Sequence, residues 1–203
     1  YLQRLGVSYD VALGGSSVIL TLKKITNTAP VIITVKPQAG APVEAAVRQF
    51  PITLVRNPSP DDGQASSVRI GLQALSPRLD AVMVALADQP LIDEQDIVAL
   101  ISAFRKRGDA AMVVPRVATA GGAPEPGNPV IFDGALREQW LAGEADPACR
   151  KWRQAHPQRV HWLDTDNSRY RIDIDTPEDL ERFTARTGHR LTWPAALAGE
   201  EVR

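Results

Sequence analysis

The amino-acid sequence predicts one α/β domain in which helices flank a mostly parallel sheet. Three observations carry that expectation. From about residue 31, short β-branched runs alternate with helical patterns, the signature of βαβ units. Ala81 to Ala87 is a run of seven apolar residues, as expected of a strand buried on both faces. The length of 203 residues suffices for one well-buried core and is short for two. In order, the expected strands start at Val31 (VIITV), Ile52 (ITLV), Ala81 (AVMVALA), Met112 (MVVP) and Val160 (VHWL). Helices are expected over Val43 to Gln49, Ser66 to Leu75 and Asp93 to Arg107. The last is the clearest: Asp93, Glu94 and Asp96 fall in its first turn, Ile97, Leu100, Ile101 and Phe104 share one face, and Arg105, Lys106 and Arg107 precede Gly108. Its charges complement the helix macrodipole and its glycine stops it, so the basic triplet reads as a helix end before it reads as a binding patch. Val117 to Gly127 is rich in Gly, Pro and Ala without periodicity. It reads as a loop over the same sheet edge as the end of the Ala81 strand, suited to a substrate lid. His189 to Arg203 reads as a C-terminal tail, leaving residues 1–188 as the domain.

Net charge is −1, with Lys and Arg scattered along the chain. The basic stripe of a nucleic-acid binder is therefore missing, and a small-molecule partner is expected instead. The single cysteine, Cys149, allows no intrachain disulfide and no cysteine cluster for zinc, which suits a cytoplasmic protein with a small buried thiol. No stretch approaches the ~18 apolar residues of a membrane span and no signal peptide opens the chain, so no membrane partner is expected. The first residue is Tyr1 rather than Met, and a missing upstream segment is expected. A dinucleotide dehydrogenase is disfavoured because no G-x-G-x-x-G follows a strand.

Chemistry concentrates at one strand end and in two segments. The Ala81 run leads into Asp88, Gln89 and Pro90, and ligands of open α/β sheets bind at the carboxyl ends of strands. Asp88 is placed there either to cap the turn into the next helix or to hold a metal ion on a phosphorylated substrate. NPSPDDGQASSVRIG, Asn57 to Gly71, follows the Ile52 strand and opens a helix. Gly63 permits an unusual backbone angle, while Ser66 and Ser67 offer hydroxyls and amides for a phosphate, for a base edge, or simply as caps. In DIDTPEDL, Asp173 to Leu180, the residues Thr176, Pro177, Glu178 and Asp179 read as a capped helix start. Asp173 and Asp175 lie before it at alternating positions, on one face of an extended segment. A carboxylate from this pair and Asp88 together suit Mg²⁺, which favours one or two carboxylates plus substrate phosphates.

These segments, in this order over about residues 15 to 183, resemble the MobA-like nucleotidyltransferases of molybdenum cofactor biosynthesis, most closely the molybdenum cofactor cytidylyltransferases. GQASSVRIGL from Gly63 is similar to the family's nucleotide-holding segment, and ADQP from Ala87 to its metal-bearing aspartate. GNPVIF from Gly127 is similar to the motif that opens the acceptor side, and DIDTPEDL to a closing motif shared with other nucleotidyltransferases. Gln89 is more similar to the cytidylyl than to the guanylyl enzymes, which favour Met there. The resemblance implies a Rossmann-like nucleotidyltransferase fold and a Mg²⁺-dependent transfer of CMP from CTP to molybdopterin, with release of pyrophosphate. It implies Asp88 and Asp175 as catalytic metal ligands, with Asp173 the lesser partner. It places Gly63, Ser66, Ser67, Asp88 and Gln89 on the nucleotide, and Asn128, Pro129 and Arg150 on the acceptor. Such a reaction needs positioning and charge neutralisation more than an acid or base, so Cys149, His156, His161 and His189 need no catalytic role. The implied protein partner is a molybdoenzyme or its chaperone, in transient contact.

Two departures from the family pattern set the alternatives. The family's Gly-rich first loop, with its arginine and lysine, has no recognisable counterpart. VALGGSS, Val11 to Ser17, supplies glycines and serines for a phosphate nest but no such cations. Gly15 to Val35 therefore reads as the later helix and second strand of the pattern, with the first strand and phosphate loop missing or divergent within residues 1–17. ADPACR, Ala145 to Arg150, keeps Asp146 and Arg150 of the family pattern. Those two read equally as a phosphate contact and as a helix salt pair. The open alternatives are a relative that uses another nucleotide such as GTP or another acceptor, and a degenerate, non-catalytic nucleotide- or cofactor-binding module.

Overall fold

The computed structural model describes residues 18–22, 31–35, 53–76, 78–143 and 149–188. The expected helix Val43 to Gln49, the VALGGSS segment, Asp146, His189 and the tail lie outside the described residues. Eight strands form one sheet: β1 Val18–Leu22, β2 Val31–Val35, β3 Thr53–Arg56, β4 Ala81–Ala85, β5 Met112–Val117, β6 Glu125–Pro126, β7 Val130–Asp133 and β8 Val160–Thr165. Their order is β3-β2-β1-β4-β7-β5-β6, with β8 also paired to β5. The helices are α1 Gln64–Ala74, α2 Glu94–Arg105, α3 Gly134–Leu141, α4 Cys149–Ala155 and α5 Pro177–Thr187. The α/β class with helices flanking a sheet is as expected.

The pairing is not mostly parallel. Only β2–β3 and β5–β8 are parallel among the described pairs, and β1–β2, β1–β4, β4–β7, β5–β7 and β5–β6 are antiparallel. The strands β2, β3, β4, β5 and β8 do share one direction; β1 and β7 run against them and lie between them. Connection length explains both reversals, because a parallel neighbour needs a crossover of about a dozen residues or more, usually helical. The link from β1 to β2 is too short for that, and the link from β5 to β7 is used by a hairpin through β6. The helix expected between Gly15 and the Val31 strand is corrected here: VILTL is β1, its Val18, Ile19 and Thr21 being β-branched residues that suit a pleated strand. The Val117 to Gly127 segment is likewise only partly loop, since Glu125 and Pro126 return to pair with Val117 and Arg116.

Period-two alternation divides the core between the two faces of the sheet. Val82, Val84, Met112, Val114, Val130 and Phe132 meet Val68 and Leu72 of α1, Leu136 and Trp140 of α3 and Trp152 of α4. Ala81, Met83, Val113 and Ile131 meet Ile97, Leu100, Ile101 and Phe104 of α2, together with Tyr170. This two-faced burial is what the apolar Ala81 run demands. α2 starts as expected: the Asp93 carboxylate accepts from the amides of Gln95 and Asp96, and Asp96 reaches back to the Asp93 amide in a capping box.

The strand directions bring distant segments to one edge. β3 and β4 both end there, at Asn57 and at the Leu86–Asp88 turn. β7, being reversed, begins there, with Val130 opposite Val84. The GNP motif that precedes β7 therefore arrives beside the end of β4.

Candidate active site

β4 delivers Asp88 just beyond the sheet, and a second segment is tied to it. The Ile174 amide donates to the Asp88 carbonyl at 2.9 Å, which lays Asp173, Ile174 and Asp175 against the Asp88 turn. The Asp88 side chain is half-buried, and its Oδ1 is buried without a hydrogen-bond partner. Burial pushes the Asp88 carboxyl above the usual carboxylate range, and the charges of Asp175 and Asp173 push it further. The charges of Asp175 and Asp173 thus reach Asp88, an interaction between like charges that is unfavourable on its own. Among the described residues no group of three or more His, Cys, Asp or Glu side chains is placed to hold a metal ion by itself. The neighbouring acids have a different task. Thr176 Oγ1 accepts from the Asp179 amide at 3.2 Å and Asp179 Oδ2 accepts from the Thr176 amide at 2.9 Å, with Pro177 in the first turn of α5. These residues cap α5 as expected, and the Thr176 hydrogen bonds hold Asp179 below the usual carboxylate range.

Opposite, α1 opens from Gly63, whose φ of 85° is a left-handed angle that only glycine adopts readily. No side chain caps this helix. Ser66 and Ser67 are instead ordered by a residue the sequence did not single out. Asn57, fully buried, donates from Nδ2 to Ser66 Oγ at 2.8 Å and Ser67 Oγ at 2.9 Å, and its Oδ1 accepts from the Ser59 amide at 2.9 Å. The Ser66 hydroxyl donates back to the Gly63 carbonyl at 2.8 Å. The end of β3 and the start of α1 are thereby locked together, and both serine oxygens are pre-oriented.

The loop before β7 is fixed just as firmly. Gly127 packs so close to the Tyr170 carbonyl that a Cβ would overlap it. The Asn128 amide donates to that same carbonyl at 2.8 Å, as does Gln89 Nε2 at 3.3 Å. Gln89 is buried and its Oε1 lacks a partner. Tyr170 is itself held from below: its hydroxyl donates to the Asp96 carbonyl at 2.8 Å. The Asp96 carboxylate, 2% exposed, accepts from Arg169 at 2.8 and 3.0 Å and from Asn167 at 2.6 Å. Sequence reading took Asp96 as helix-terminus charge; it is the centre of a network that positions Tyr170, and through it Gln89 and Asn128.

A cleft of about 260 Å³ opens beside the end of β4, lined by Gln64 and Val68 of α1, Leu86, Asn128, and Arg150 and Arg153 of α4. Arg150 is exposed and Arg153 half-buried. Cys149 also lines it, its thiol pushed up to about 12 by burial, which leaves it un-ionised and a poor nucleophile at neutral pH. Asp88, Gln89, Asp173 and Asp175 thus meet at the end of β4, while Asn128 and Arg150 share the cleft. Gly63, Ser66 and Ser67 line the turn from β3 into α1. Pro129 is buried behind a cis bond to Asn128. His156 stacks on Trp152 at 4.7 Å between ring centroids, in keeping with a structural role. Arg153 was missed because its relation to the cleft depends on the placement of α4, for which the sequence carried no signal.

The family model for the MobA-like NTP transferase domain matches residues 12–160, a span that includes Asn57 to Gly71, Asp88 and the cleft. No curated protein sequence matches the chain. Among solved structures, the fold is similar to 4-diphosphocytidyl-2C-methyl-D-erythritol synthase from Anaerococcus prevotii, with TM-score 0.64, 18% identity and 79% of each chain covered. It is similar to Rv0371c of Mycobacterium tuberculosis in complex with manganese, with TM-score 0.56, 22% identity, 75% of this chain and 76% of that one. It is also similar to CMP:2-keto-3-deoxy-manno-octonic acid synthetase complexed with CTP, with TM-score 0.56, 12% identity, 80% of this chain and 82% of that one.

Proposed function

The chain belongs to the MobA-like NTP transferase family and is an enzyme of the nucleotidyltransferase type; we propose that it transfers CMP from CTP to the terminal phosphate of molybdopterin, releasing pyrophosphate. The single observation that carries the reading is the Asp88 carboxylate at the end of β4, one of its oxygens buried and unpartnered, with the Asp173–Asp175 segment hydrogen-bonded to its backbone. That donor set fits Mg²⁺, a hard cation held by carboxylate and phosphate oxygens. Asp88 and Asp175 are the residues that would hold it, and when bound it supplies charge neutralisation on the nucleotide phosphates. A protein with a similar fold is solved in complex with manganese, which supports a divalent cation for this chain.

The chain's own residues supply positioning. Asn57 orients Ser66 and Ser67 toward nucleotide oxygens or the base edge, and the Tyr170 carbonyl fixes Gln89 and Asn128 relative to Asp88. An acceptor phosphate oxygen attacks the α-phosphorus of CTP; the new P–O bond forms as the bond between the α-phosphorus and the bridging oxygen to the β-phosphorus breaks, and its electron pair leaves with pyrophosphate. The attacking oxygen is already anionic, so no general base is needed, in agreement with a site that offers carboxylates, amides and hydroxyls and an un-ionised thiol. The two structural neighbours that make or hold cytidine nucleotides by name favour CTP over GTP for this chain, as does Gln89. No helix among the described residues is long and apolar enough to cross a membrane, and we place the enzyme in the cytoplasm with its cofactor-dependent partners.

Pyrophosphate release by the chain, supplied with molybdopterin and with CTP, GTP or ATP in turn, tests the assignment. Release with CTP in clear excess over the other two is expected. Preferential release with GTP would replace the cytidylyl by a guanylyl assignment, and binding of nucleotide without release would mark a non-catalytic module.

A further inference from the structure

The cleft beside β4 contains a cation that the described residues leave unpaired. Arg153 is half-buried in its wall, and its guanidinium has no hydrogen-bond or ion-pair partner among the described residues. Two buried or partly buried arginines elsewhere in this chain are treated differently. Arg137 is 3% exposed and donates to the carbonyls of Leu72 and Leu75 at 2.8 to 3.1 Å. Arg169 is bonded to Asp96 through two nitrogens. Among the described residues, the charged and titratable groups that face Arg153 are Arg150, which repels it, and the Cys149 thiol, which burial keeps un-ionised. Burial pulls the Arg153 pKa below the usual guanidinium value, Cys149 offsets this and Arg150 adds to it, yet a guanidinium keeps its proton in a protein. No Asp or Glu is among the described residues that line the cleft, whose floor is Val68, Val84 and Val130.

A desolvated cation without a partner costs stability, and an anion that enters the site offsets the cost. A planar guanidinium also matches phosphate oxygens in a bidentate fork. We propose that Arg153 is the half-buried anchor for a phosphate group of the ligand in this cleft, with Arg150 as its exposed outer contact. The assignment rests on the nucleotidyl-transfer reading of the same site and names the anion-binding side of it. Nucleotide and acceptor both carry phosphate; the cleft chemistry is shared, and the experiment separates the two.

Calorimetric titrations of the 203-residue chain with inorganic phosphate, inorganic pyrophosphate and CTP are compared with those of R153L and R153K, alongside thermal unfolding without ligand. R153L is expected to weaken phosphate or pyrophosphate binding at least tenfold and R153K by less. Without ligand, R153L is expected to melt about 2–4 °C higher, since removal of an uncompensated cation relieves strain that function imposes. A parallel loss of CTP affinity assigns the anchor to the nucleotide, and an unchanged CTP affinity assigns it to the acceptor. Equal binding by R153L and the parent, absence of binding in the parent, or a lower melting temperature for R153L would overturn the proposal. Turnover is read separately: phosphate binding that depends on Arg153 in a chain that releases no pyrophosphate would sink the nucleotidyl-transfer reading and leave the anchor standing.

Discussion

Two polar clusters lie near the ligand-binding edge of one sheet, and they are built on opposite principles. Around Asp96, 2% exposed, the carboxylate is met by Arg169, by Asn167 and by the amide of Asp93. Around Asp88 a carboxylate feels the charges of two others and is left with an unbonded oxygen, and in the neighbouring cleft Arg153 has no anion among the described residues. Both clusters carry the desolvation cost of buried charge. Only the first recovers it within the protein. The contrast marks the Asp96 cluster as a support, whose removal is expected to loosen the Tyr170 turn, and fits the proposed role of Asp88 and Arg153 as receptors, whose removal is expected to spare the fold.

The largest effect expected from this contrast is at Asp88. D88N should reduce turnover by about a thousandfold, the scale of losing a principal electrostatic group in a transition state, with a melting temperature equal to or above the parent's. A marked loss of stability in D88N would place Asp88 with the supports. Next in size is the reactivity of Cys149. With its pKa raised to about 12, its alkylation by iodoacetamide near pH 8 should run at least about a hundredfold slower in the native chain than in the denatured one. Unfolded thiols ionise near 8.5, so the raised folded value contributes stability that is full below about pH 8.5 and is lost as pH rises toward 12. A denaturation series across that window checks the sign.

At the support cluster, R169M leaves the buried Asp96 without its cation and should cost about 2–3 kcal/mol in urea unfolding. It should also lower turnover, because Tyr170 positions Gln89 and Asn128. An R169M chain of unchanged stability would erase the distinction between the two clusters. The smallest effect is expected at the join of β3 and α1. N57A removes two donors to the serine hydroxyls and should cost about 1–2 kcal/mol. The KM for nucleotide should rise several-fold in that variant, while KM for the acceptor stays constant.

Supports and receptors were not equally legible in the sequence. Asp88 is announced by a seven-residue apolar run that ends in it, and DIDTPEDL by carboxylates that precede a complete capping signal. Local patterning sufficed for both. Asp96 looked like a first-turn helix acid, since nothing local reveals that Asn167 and Arg169, more than seventy residues away, converge on it. Asn57 carries no local signal of its role, because complete burial of an amide depends on the packing of β3 against α1. The same limit explains the sheet. Propensity located β2 to β5 and β8, but the reversal of β1 and β7 follows from connection lengths and pairing partners, which a one-dimensional pattern does not contain.

Binding of Mn²⁺, followed by electron paramagnetic resonance in the presence of CTP, tests most directly whether the unpaired carboxylates are a receptor. The parent chain should take up Mn²⁺ and lose it to excess Mg²⁺, and D88N should retain CTP binding with Mn²⁺ affinity reduced at least tenfold. Equal Mn²⁺ affinity in the parent and D88N would contradict the account, because Asp88 would then be a buried carboxylate with no metal to hold.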